Sequence, residues 1–306
     1  MASNPSLSVV LPVFNEEATI DELHQRLVAV LTSLGLTFEV IYVDDGSSDR
    51  SRELVSELAK DDPRVGGLVL SRNFGHQAAL TAGLDYARGD AVVLMDSDLQ
   101  DPPELITEMV ARWKEGFDVV YAQRKARQGE SAFKRATAFA FYRFIRLIAT
   151  VDVPADTGDF RLLSRPAADA LRTLRERRRF LRGLVVWTGF HQTNVFYDRP
   201  ARAGGESKYP VGAMMRLAMT ATFSFSSFPI TLVGLVGAAV CAGSLFALGL
   251  GVAVGTAALF FLGGVQLIGL WILGQYLSSV AEEVRRRPIY VVQETVNVQS
   301  SPAKDA

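Results

Sequence analysis

The chain has 306 residues, with 32 Lys and Arg against 33 Asp and Glu, a formal net charge of −1. That near-neutral balance argues against a nucleic-acid partner, which a strongly basic face would serve. The single cysteine, Cys241, excludes an intramolecular disulfide and fits a reducing compartment.

In chain order, an apolar run over residues 8–13 reads as a strand close to the start, where nothing resembles a signal peptide. A helix is expected over 18–34, because Ile20, Leu23, Leu27 and Leu31 recur at helical spacing. Strands expected over 38–43, 65–70, 91–95 and 118–122 alternate with helices over 49–60, 76–87 and 103–114. That alternation predicts an α/β fold with a mostly parallel sheet and helices on its faces. Residues 123–135 are basic and loop-like. Residues 136–150 read as a helix, with Arg143 and Arg146 among aromatic and aliphatic neighbours. It suits either a core or a membrane surface. A second, looser portion covers 152–208.

From Leu217 to Ala281 there is no Asp, Glu, Lys, Arg or His. About 20 apolar residues suffice for a helix to span a bilayer, so a two-helix transmembrane hairpin is expected, with crossings near 228–252 and 256–277. Lys208 and Arg216 precede it and Arg285, Arg286 and Arg287 follow, while the connecting turn is uncharged. Positive flanks stay on the cytoplasmic side, so both termini are expected there.

Val92-Val93-Leu94-Met95 runs straight into Asp96-Ser97-Asp98, and Pro102-Pro103 then stops the segment. On extended chain the two carboxylates would share a face, and like charges that close call for a cation. A hard divalent ion, Mg²⁺ or Mn²⁺, open to phosphate oxygens, accounts for the pair. The plainer alternative is turn and helix-cap chemistry. Acidic or polar clusters also end the first strand (Asn15-Glu16-Glu17) and the second (Asp44-Asp45-Gly46-Ser47). Each alone suits a turn, but three on the carboxyl ends of one sheet converge on a single crevice.

Taken with Ser71-Arg72-Asn73-Phe74-Gly75 and Asp96 to Pro102, these strings resemble inverting glycosyltransferases of family 2, which have the GT-A fold. Asp156-Thr157-Gly158-Asp159-Phe160-Arg161, Arg182-Gly183, Trp187-Thr188-Gly189-Phe190, Gly205-Glu206-Ser207-Lys208-Tyr209-Pro210 and Arg287-Pro288-Ile289-Tyr290 narrow the likeness. With the hairpin, they resemble polyprenyl-phosphate glycosyltransferases, the bactoprenol glucosyltransferases and dolichol-phosphate mannosyltransferases. The resemblance implies transfer of a hexose from a nucleotide sugar to polyprenyl phosphate, with UDP-glucose favoured over GDP-mannose. By that resemblance Pro12, Phe14, Glu16 and Asp45 face the nucleotide, and Asp96, Asp98 and Gln100 the metal. Arg124 lies near the phosphates, and Arg202, Ser207 and Lys208 face the diphosphate and acceptor phosphate. Asp159 is expected beside the acceptor oxygen as a weak base or orienting group, or else as a residue closing the turn at Gly158.

The expected organisation is a cytoplasmic GT-A domain over 1–208, an interfacial amphipathic segment over 209–227, two transmembrane helices within 228–281, and a cytoplasmic strand and tail over 282–306. The chain would then be a multi-pass protein of the inner (cytoplasmic) membrane, its acceptor held in the lipid bilayer. The β-rich run Ile289-Tyr290-Val291-Val292 is expected to join a neighbouring protomer's sheet, giving a homo-oligomer. A processive polysaccharide synthase would need more crossings and a Gln-x-x-Arg-Trp string, absent here. A membrane-anchored sensor without catalysis would predict decayed acidic clusters, and these are intact.

Overall fold

Leu7–Val13 forms β1 with every residue buried, as a strand covered on both faces requires. The structure is a computed structural model that describes residues 5–124, 157–177, 179–197 and 255–298, with positions 233, 236 and 239 besides. Two compact units divide the chain. One comprises Met1–Arg135, Val153–Lys208 and Pro288–Ala306, the other Ala136–Asp152 and Tyr209–Arg287.

The first unit alternates as its periodicity demands. α1 (Ile20–Ser33) buries Ile20, Leu23, Leu27 and Leu31, the predicted stripe. It is followed by β2 (Phe38–Asp44), α2 (Ser51–Asp61), β3 (Val65–Leu70), α3 (His76–Tyr86) and β4 (Ala91–Leu94). A 3-10 turn at Pro103–Leu105 leads into α4 (Ile106–Lys114), and β5 is Val119–Arg124. The looser portion contains regular elements that were not predicted: β6 (Thr157–Ser164), α5 (Arg165–Thr173), α6 (Leu181–Trp187) and β7 (Gln192–Tyr197).

The sheet has eight strands in the order β7-β5-β6-β4-β1-β2-β3-β8, the last being Val292–Val296. Strands β4, β1, β2 and β3 are parallel, so their carboxyl ends share one edge. β6 runs antiparallel between β4 and β5, with Leu94 opposite Arg161. Carried two residues past the end of β4, that register brings Asp159 to Asp96. Helix α3 packs deeply, with every residue from Ala78 to Tyr86 buried. Gly83 allows this, because a Cβ there would run into Val10 of β1.

Two expectations change here. β8 pairs antiparallel with the chain's own β3 rather than with a neighbour. Arg52 and Glu294 form an ion pair at 2.7 Å, and the Asn297 amide donates to the carbonyls of Pro63 and Val65. Without β8, β3 would be the sheet's edge, with backbone groups that need a partner. The described residues 288–298 accordingly group with the sheet.

In the second unit α7 spans Gly255–Val284, 30 residues. The second predicted crossing falls within it. The first, 228–252, lies outside the described residues apart from positions 233, 236 and 239, as do the basic loop beyond Arg124, the helix expected over 136–150 and all of 209–227. Among the described residues no helix is long and apolar enough to cross a membrane.

Candidate active site

The carboxyl ends of β1 and β2 are stitched together by short polar side chains. Asn15, at φ 56°, donates its backbone N–H to Ser47 Oγ at 3.0 Å and accepts from the Ser48 N–H at 2.8 Å. The Glu16 N–H donates to Ser51 Oγ at 2.8 Å. Phe14 stands 40 % exposed beside this network, free to offer a ring face, while Pro12 is buried and its carbonyl accepts from Ser97 Oγ at 2.7 Å.

Asp45 is 2 % exposed, and its carboxylate accepts the N–H groups of Phe74 at 2.7 Å and Gly75 at 2.9 Å. It therefore holds the loop leading into α3. Burial pushes its pKa up, against the pull of those two N–H groups. Gly46 follows at φ 74°, and a Cβ there would meet Asn73 N at 2.7 Å. Only glycine serves that close approach.

Asp96 and Asp98 lie just beyond the end of β4 (Ala91–Leu94), and Asp98 is near enough to help raise the Asp96 pKa. The segment turns: Leu99 takes φ 61° and buries its side chain, and Asp98 Oδ1 accepts the Gln100 N–H at 3.1 Å. Asp96 Oδ1 is buried and accepts no hydrogen bond. Among the described residues no group of three or more His, Cys, Asp or Glu forms a metal cage. Two carboxylates, one with an unsatisfied buried oxygen, nonetheless suit a Mg²⁺-type ion that completes its shell with water and phosphate oxygens. Gln100 meets Asp98 through its backbone N–H.

Four residues given no role by the sequence complete the site. His76, first in α3, brings Nε2 within 3.3 Å of Asp96 Oδ1 and 3.4 Å of Asp159 Oδ2. Arg182 of α6 holds Asp159 side-on, Nε to Oδ1 at 3.0 Å and Nη2 to Oδ2 at 3.2 Å. Gln77 Nε2 donates to Asp159 Oδ2 at 3.1 Å. Arg161, 3 % exposed, donates to the carbonyls of Asp159 and Gly158. The charges thus alternate along Asp96, His76, Asp159 and Arg182. The sequence signal for His76 was slight: one of three histidines, placed just after Gly75 at a helix start.

Burial disfavours the Asp159 anion, but Arg182 and His76 outweigh it and hold the carboxyl well below the usual range. For His76, burial works against the charge while Asp96 and Asp159 raise its pKa to about 9. The Asp96 carboxyl is pushed up by burial, with His76 pulling the other way. A carboxylate held below the usual range by neighbouring cations accepts a proton less readily than a free one. Arg124, ending β5, reaches towards Tyr197, whose hydroxyl donates to Asp101 Oδ1 at 3.0 Å. Arg202, Ser207 and Lys208 lie outside the described residues.

Residues 8–172 match the family Glycosyl transferase family 2. The chain belongs to glycosyl transferase family 2. It is 41 % identical over 313 residues to an uncharacterized glycosyltransferase of Bacillus subtilis, covering 98 % of this chain and 97 % of that one. It is 36 % identical over 303 residues to the SfII prophage-derived bactoprenol glucosyl transferase of Shigella flexneri, covering 94 % and 98 %. Among solved structures, the glucosyl-3-phosphoglycerate synthase of Mycobacterium tuberculosis aligns with a TM-score of 0.47 at 20 % identity, over 72 % of this chain and 78 % of that one. As a family 2 member the chain is a glycosyltransferase, and its crevice at the strand ends lies where α/β sheets bind ligands.

Proposed function

We propose that this glycosyltransferase moves glucose from UDP-glucose to the phosphate of a polyprenyl lipid, inverting the anomeric centre. The observation that carries this reading is the near-full-length likeness to a protein named bactoprenol glucosyl transferase. The acceptor is a phosphate oxygen already ionised at neutral pH, so no strong base is required. What the chain supplies is alignment and charge balance. Asp159, kept anionic between Arg182 and His76, orients that array; Asp96 and Asp98 would hold the divalent ion. The ion, when bound, neutralises the departing diphosphate. The β1 and β2 loop network, with Phe14, Glu16 and Asp45, frames the nucleotide. Arg124, and by resemblance Arg202, Ser207 and Lys208, serve the phosphates.

Purified protein given a panel of nucleotide sugars and undecaprenyl phosphate should make the lipid-linked product from UDP-glucose. Product from GDP-mannose alone would overturn the sugar, and no turnover of any nucleotide sugar would favour a sensor. EDTA should abolish transfer, as should Asp98→Ala with the fold retained; full activity in EDTA sinks the metal assignment.

The membrane part of the reading is supported by the uncharged stretch from Leu217 to Ala281 and by exposed apolar residues on α7, among them Leu270 and Leu277. A polyprenyl tail leaves the bilayer only at ~0.8 kcal/mol per CH₂, so the site works at the cytoplasmic face. Labelling of engineered cysteines in intact cells tests this: residue 306 should stay protected from outside reagents. Because β8 is engaged by β3, strand exchange no longer gives a reason for a homo-oligomer.

A further inference from the structure

The polar group that binds the two halves of the charged array together is neither acid nor base. Gln77 is the second residue of α3, and its side-chain amide spans two elements at once. Nε2 donates to Asp159 Oδ2 at 3.1 Å, while Oε1 accepts the backbone N–H of Leu181 at 3.0 Å. Leu181 opens α6, a helix whose first turn receives no side-chain cap from its own flank, so one of its orphan donors is met from outside. The next residue, Arg182, clamps the same Asp159. A side-chain amide carries both a donor for a carboxylate and an acceptor for a backbone N–H, and Gln77 uses both.

The base of this strut is fixed. The Gln77 carbonyl accepts Thr81 Oγ1 at 2.7 Å, and α3 behind it is buried from Ala78 onward. We propose that Gln77 is a positioning residue of the transfer reaction, setting Asp159 and Arg182 in register with His76 and Asp96. The inference rests on the glycosyltransfer reading above and deepens it. Without the amide, Asp159 Oδ2 keeps its contacts with Arg182 and His76, but α6 loses its tie to α3 and the guanidinium loses its fixed azimuth. Displacements of about 1 Å in such an array can cost ~100-fold in rate. The hydrogen bonds described for Gln77 run to Asp159, Leu181 and Thr81, and none of them to the β1 and β2 loops.

The test is Gln77→Met, which keeps length and removes both hydrogen bonds, together with Gln77→Asn, one methylene shorter and able to reach at most one partner. Gln77→Met should lower kcat tenfold or more while KM for the donor, and Kd for UDP, stay within twofold; Gln77→Asn should fall between it and the native protein. A kcat within twofold of native overturns the proposal. So does a loss of UDP affinity and thermal stability in proportion to kcat, which marks Gln77 as merely structural. The Arg182 Nε–H resonance gives a readout that needs no acceptor: exchange-protected in the native protein, exposed in Gln77→Met. If Gln77→Met does not accumulate as folded protein, Gln77→Asn carries both readouts. If the native protein transfers no sugar, the functional reading fails, and an unchanged Arg182 resonance would still sink the role of Gln77 separately.

Discussion

Two buried carboxylates flank the start of α3, and they behave in opposite ways. Asp45 is 2 % exposed and Asp159 6 %, so burial alone would push both pKa values up. Asp45 is met by the backbone N–H groups of Phe74 and Gly75, partial charges that do not overcome desolvation, and its pKa ends raised. Asp159 is met by the Arg182 guanidinium and the His76 imidazole, and its pKa ends well below the usual range. At Asp45 two backbone N–H dipoles do not offset desolvation, whereas at Asp159 two charged partners do. The Asp45 region is accordingly a scaffold that holds the loop into α3 in shape. The Asp159 region is an electrostatic device.

The sharpest way to break that contrast is Asp159→Asn, which keeps shape and removes charge. kcat should fall by about 10²-fold or more if the charge serves transfer, and stability by about 3 kcal/mol, because Arg182 and the buried Arg161 lose their counterion. Steady-state kinetics beside urea denaturation read both, and near-normal turnover would leave Asp159 a turn residue. On the scaffold side, Gly46→Ala should cost roughly 2 kcal/mol, from a left-handed φ and a clash with backbone. It should weaken UDP binding more than kcat. A fully stable Gly46→Ala protein would show that the loop has room the structure does not.

The smallest effect is the most direct comparison. A depressed folded pKa gives stability that is present above the unfolded value, ~3.9, and is lost as pH falls through the folded value; this is the Asp159 case. A raised folded pKa penalises the ionised form, so acidification from neutrality relieves strain before that point; this is the Asp45 case, shared by Asp44 and Asp96. Stability followed downward from pH 7 should rise slightly, then fall below about 4. Asp45→Asn should shrink the rise, and Asp159→Asn the fall. Parallel curves for the two variants would contradict the assignment of opposite shifts.

Much of the parallel half was legible because each element reports locally: the α1 stripe at Ile20, Leu23, Leu27 and Leu31 needs no partner to be seen. β6 hid because a strand reading Thr-Gly-Asp-Phe-Arg offends propensity at Asp159 and Arg161, and what excuses those charges is one another and Arg182 on another element. Asp45 and Asp96 could be flagged as acidic residues at strand ends. Their neighbours could not: Gln77 and Asp159 are 82 positions apart, and no periodicity links them. The left-handed turn at Leu99, after both aspartates, was likewise not legible. β8 was legible as a strand, but its partner was not, since edge pairing depends on which strand the finished sheet leaves open.

That last strand bears on how the protein is made. The ion pair between Arg52 and Glu294 joins residues 242 positions apart, and the β3 to β8 ladder has similar span. A ribosome delivers β1 through β7 long before β8 exists, so the catalytic sheet must wait, one ladder short, while the whole of α7 is synthesised. During that interval Val65–Leu70 is a bare edge, open to whatever strand it meets. Long-range closure of this kind is slow. A chain cut short within α7 would carry every residue of the site described here and still leave its sheet unsealed.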